Sequence, residues 1–84
     1  MEAKALAFAE EAIRAVGRED VAGARIAVIQ AYDLDHGLAA LVDAVHLACA
    51  EIEEEGGVST STWNGLADAV ASDSLVAVVE SSRT

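Results

Sequence analysis

The chain has 84 residues, 54% of them hydrophobic and 24% charged, with fifteen acids against five bases for a net charge of −10. That balance belongs to a folded protein, not a disordered acidic tail, and the length predicts one domain, residues 1–84, burying only about 60–65% of its unfolded surface. The charge weighs against direct nucleic-acid binding, which needs clustered cations, and against anionic membrane surfaces.

At the N-terminus, Glu10 and Glu11 follow too few uncharged residues for an export signal, and no uncharged apolar run approaches the roughly 18 residues of a membrane span. Cys49 is the only cysteine, so it reads as a small buried apolar group in a reducing, cytoplasmic setting. Residues 3–16 predict an amphipathic helix: Leu6, Ala9, Ile13 and Val16 recur at helical spacing, with Ala5 and Ala12 alongside. Lys4, Glu10, Glu11 and Arg14 take the opposite face, and Gly17 is expected to cap the C-terminus.

A second helix is expected over about 20–32. The spacing selects Val21, Ala22, Ile26, Ile29 and Tyr32 as its buried stripe, with Val28 at the edge. Gly23, Ala24, Ala27, Gln30 and Ala31 would then form an almost uncharged outer face. Arg25 falls within the stripe, where its stem would lie along the core edge or its head would pair with a carboxylate from another helix.

The third and longest helix, about 35–55, starts behind Asp33 or Asp35 and buries Leu38, Leu41, Val42, Val45, Cys49 and Ile52. Its reverse face carries Ala40, Ala44 and Leu47, as expected of a helix that is central or covered by a partner. Glu51, Glu53, Glu54 and Glu55 load its C-terminal end with negative charge where the helix dipole is already negative, which predicts a solvated, fraying end. Residues 56–62 read as a loop. A fourth helix begins near Ser61 or Asn64 with Trp63, Leu66, Ala67 and Val70 in register, and residues 75–79 favour a short further helix over an unpaired strand. The expected fold is therefore an all-α bundle of four or five helices. Its small core and uncharged helix faces predict self-association, a homodimer being the commonest closed form.

Function is less legible. No Lys or Arg occurs between Arg25 and Arg83, a stretch that holds Asp33, Asp35, Asp43, Glu51, Glu53, Glu54, Glu55, Asp68, Asp73 and Glu80. Such an uncompensated field attracts cationic partners. The leading expectation is a non-enzymatic interaction protein, without a cofactor, that meets a basic or amphipathic protein through the third and fourth helices. Leu47, Glu51, Glu54, Glu55 and Asp68 are its candidate contacts. One alternative is a metal-binding bundle using the acid-x-x-His pair Asp43 and His46, completed by Glu10 or Glu11. Another is an acidic nucleic-acid mimic or antitoxin-like inhibitor. No glycine-bounded nucleophile or phosphate-binding loop is present, and Asp33, Asp35 and His36 read as helix-start chemistry.

Overall fold

A computed structural model describes residues 2–70 and 72–83. The fold is all-α, with no strand among the described residues. Its helices are α1 (Ala3–Gly17), α2 (Val21–Leu34), α3 (Ala39–Glu55), α4 (Thr60–Ala69) and α5 (Asp73–Ser82), with a 3₁₀ turn, His36–Leu38, leading into α3. No helix among these residues is long and apolar enough to cross a membrane. The assembly measures 33 × 22 × 18 Å.

α1 and α2 approach each other more extensively than any other pair. The residues they bury are mostly alanine: Ala5, Ala9, Ala12 and Ala15 on α1, and Ala24, Ala27 and Ala31 on α2. Thin side chains let two helix axes come close, since the separation is set by what lies between them. Ile13 and Val16 of α1, Val28 of α2, Leu41 and Val45 of α3, Leu66 of α4 and Leu75 and Val79 of α5 complete the core.

This packing reverses the expected orientation of α2. The buried face is Ala24, Ala27, Val28 and Ala31, whereas Ile26 and Ile29 are exposed and Ala22 lies with them on the outside. Val21 and Tyr32 are half-buried at the boundary. Nine of the first twelve residues of α2 are apolar, so periodicity alone cannot choose the inner face. The narrow space beside α1 does choose, because an isoleucine there would hold the helices apart.

The turn between α1 and α2 also departs from expectation. Gly17 is the last residue of α1 and not its cap. The N–H of Glu19 donates to the Val16 carbonyl at 3.1 Å and that of Asp20 to the Ala15 carbonyl at 2.9 Å, which is the Schellman pattern with Glu19 in the left-handed position at φ 61°. Gly17 answers a different need. A Cβ there would lie 2.9 Å from the Ser82 carbonyl oxygen, so the missing side chain lets the end of α1 touch the end of α5. Asp20 then starts α2, its Oδ1 accepting the Gly23 N–H at 3.0 Å.

Residues 75–79 lie within α5, where Leu75, Val78 and Val79 are buried. The close α1–α2 contact has a direct test. Ala24→Leu should lower stability by about 1–3 kcal/mol in urea unfolding, because the added methylenes have nowhere to go.

Candidate functional site

The outward surface of α3 and its C-terminal junction carry most of the residues singled out in the sequence. Asp43, Leu47, Ala50 and Glu54 recur at i, i+4, i+7 and i+11, so they follow one line along the helix. Asp43, Leu47 and Glu54 are exposed, as are Glu55 and, on α4, Asp68.

Glu51 is different. Its carboxylate crosses to the start of α4, where Oε1 accepts the Ser59 N–H at 2.8 Å and Oε2 accepts the Thr62 hydroxyl. Ser59 caps the same helix, its Oγ accepting the Thr62 N–H at 3.2 Å, so α4 starts at Thr60 and the connecting loop is shorter than expected. The Ser59 hydroxyl also donates to Thr62 Oγ1 at 3.0 Å. Backbone donation from Ser59, then the Thr62 hydroxyl, holds the Glu51 carboxyl below its ordinary value. Glu51 thus ties α3 to α4 through both of its carboxylate oxygens.

Glu53 is also engaged: Arg25 Nη2 reaches its Oε1 at 3.1 Å, linking α2 to α3. The end of α3 closes on Gly56 in the left-handed conformation, φ 79°, with its N–H donating to the Ile52 carbonyl. The expected fraying end is therefore a capped junction, with Glu54 and Glu55 left facing solvent. Behind it the Cys49 thiol is buried; burial pushes its pKa up, Arg25 opposing and Glu53 adding to the shift.

Every arginine already has an acidic neighbour. Arg14 pairs with Glu10 at 3.9 Å, Arg18 with Glu11 and with Asp20 at 3.5 Å, Arg25 with Glu53, and Arg83 with Glu80 at 3.3 Å. Asp33, Asp43, Glu54, Glu55 and Asp68 have no ion pair among the described residues. Asp43 and His46 share the exposed side of α3, but the structure does not bring Glu10 or Glu11 to them, and no group of three His, Cys, Asp or Glu side chains fit to hold a metal occurs among the described residues. Asp35 accepts the Gly37 N–H at 2.9 Å as the cap of the 3₁₀ turn, and the His36 ring stacks on Tyr32 with centroids 5.0 Å apart.

The large exposed apolar residues are Ile26 (62%), Leu47 (54%), Leu34 (45%) and Ile29 (43%), three of them on α2. Open apolar grooves flank that helix. One, of about 540 Å³, lies against α1 between Phe8 and Leu34; the other, of about 240 Å³, lies against α3 between Ile29 and Val42. Helical spacing alone points Ile26 and Ile29 into the core; the signal that relocates them is the alanine stripe of α1, which demands an equally thin partner.

No family model, curated protein or solved structure matches this chain.

The Glu51 tie predicts a pH dependence. Its folded pKa is lowered, so its contribution is complete above the ordinary carboxyl value of 4.5 and fades as pH falls through the lower folded value. Glu51→Gln should therefore flatten the acid limb of the stability curve below that pH, as followed by helical circular dichroism in urea, and leave the slope near neutrality unchanged.

Proposed function

We propose that this chain is a small non-enzymatic interaction module that receives a cationic amphipathic helix on the outward surface of α3. The observation that carries this reading is Leu47, a large exposed apolar side chain on one line with the unpaired carboxylates Asp43 and Glu54. An apolar anchor flanked by acids complements a helix with leucine on one face and lysine or arginine beside it. Glu55, at the end of the same helix, and Asp68 on α4 extend the negative field. Among the described residues, none of these carboxylates has an ion pair with a cation of the chain itself.

Fluorescence anisotropy of a labelled synthetic peptide with a leucine face and a lysine face tests the reading. Binding should weaken by about tenfold or more between about 20 and about 300 mM NaCl, since the contributing charges are exposed and screened. Leu47→Asp should remove most of the remaining affinity while helical content is unchanged. Absence of binding at low salt, or binding indifferent to both salt and Leu47, would contradict it.

A further inference from the structure

The outward side of α2 sets exposed isoleucines between one cation and one carboxylate. Arg25, Ile29 and Asp33 stand at i, i+4 and i+8, so they form one ridge reading positive, apolar, negative, with Ala22 and Ile26 beside it. α2 carries no carboxylate between its cap Asp20 and Asp33. The outward side of α1 mixes Lys4 and Arg14 with Glu11, and those of the remaining helices carry Asp43 and Glu54 on α3, Asp68 on α4 and Asp73 and Glu80 on α5.

We propose that a second copy of this chain covers this face, with the two α2 helices antiparallel across a two-fold axis at Ile29. Two copies each of charge −10 repel wherever their carboxylates meet, and α2 offers them a helix face where they do not. The ridge is also self-complementary: reversed on itself, it sets Arg25 of one copy against Asp33 of the other, twice, with Ile29 meeting Ile29 between them. Arg25 is half-exposed beside Glu53 and has donors to spare; Asp33 has no ion pair among the described residues, although Lys4 lines the same groove. The groove against α3, lined by Ile29 and Val42, gives the facing isoleucines an apolar wall. With α2 only 14 residues long, the interface is small, so the association is concentration-dependent.

This surface is separate from the α3 line around Leu47, and the two respond to salt in opposite directions. Screening relieves the repulsion between two copies each of charge −10 by more than it weakens the two Arg25–Asp33 pairs, so dimerisation strengthens with salt, whereas capture of a cationic helix weakens. Sedimentation equilibrium of the full chain from about 1 µM to about 1 mM, in about 20 and about 500 mM NaCl, should show a monomer–dimer equilibrium whose dissociation constant falls by about fivefold or more at high salt. Ile26→Glu combined with Ile29→Glu should weaken it by more than about tenfold with circular dichroism unchanged, since both side chains are exposed, and Leu47→Glu should not. In a Cys49→Ala background, Ile29→Cys should give a disulfide-linked dimer on mild oxidation and Leu47→Cys should not, because a residue on a two-fold axis meets its own copy. A monomer at all concentrations in high salt, an assembly that salt dissociates, or a dimer that survives the double isoleucine substitution would overturn the proposal. So would loss of cationic-peptide binding in that double variant with no dimer in the wild type, because α2 would then hold a different partner. Failure of Ile29→Cys to link would overturn the antiparallel register.

Discussion

The contact between α1 and α2 is the constraint from which the rest of the surface follows. Helices lined by alanine can approach closely, and once they do, a branched side chain cannot be accommodated between them. Ala24, Ala27 and Ala31 therefore turn inward, and Ile26 and Ile29 turn outward although they are larger and more apolar. Leaving an isoleucine in water forgoes on the order of 1.5–3 kcal/mol of burial, a substantial share of what a domain of this size has to spare. Close backbone approach along most of two helices offsets that loss within one chain; a covering partner would recover it.

A second consequence concerns charge. Glutamates at the C-terminal end of α3 face the negative end of its dipole, yet Glu51 at the same time lies against the N-terminus of α4, where the dipole is positive and a free amide awaits an acceptor. A residue unfavourable in one helix is thereby favourable in the next, and α3 is tied to the start of α4. Arg25 does the same work for Glu53 across α2 and α3. Outside these ties, Asp33, Asp43, Glu54, Glu55 and Asp68 have no ion pair among the described residues.

Much of the fold was legible because α1 has a one-sided pattern and α3 has one strong apolar face despite the alanines and Leu47 opposite: Ile13 and Val16, and Leu41, Val45 and Cys49, are buried where spacing put them. α5 was legible by elimination, since a lone strand had no neighbour to pair with. α2 was not, because apolar residues surround it and the choice of face is made by side-chain thickness in a neighbouring helix, which no single-helix pattern contains. The capped end of α3 escaped for a related reason: Glu51 finds its acceptor role eight residues away at Ser59, a contact set by the loop. On the surface, Leu47, Glu54, Glu55 and Asp68 are exposed, and the Glu51 carboxylate is engaged at the start of α4.

The orientation of α2 underlies both the packing and the proposed self-association, and thiol labelling tests it most directly. In a Cys49→Ala background at dilute concentration, Ile26→Cys should react with a thiol reagent within a few-fold of the unfolded rate, and Ala24→Cys should be protected by about a hundredfold or more, since it reacts only through opening of the fold. Rapid labelling of Ala24→Cys together with protection of Ile26→Cys would contradict the account.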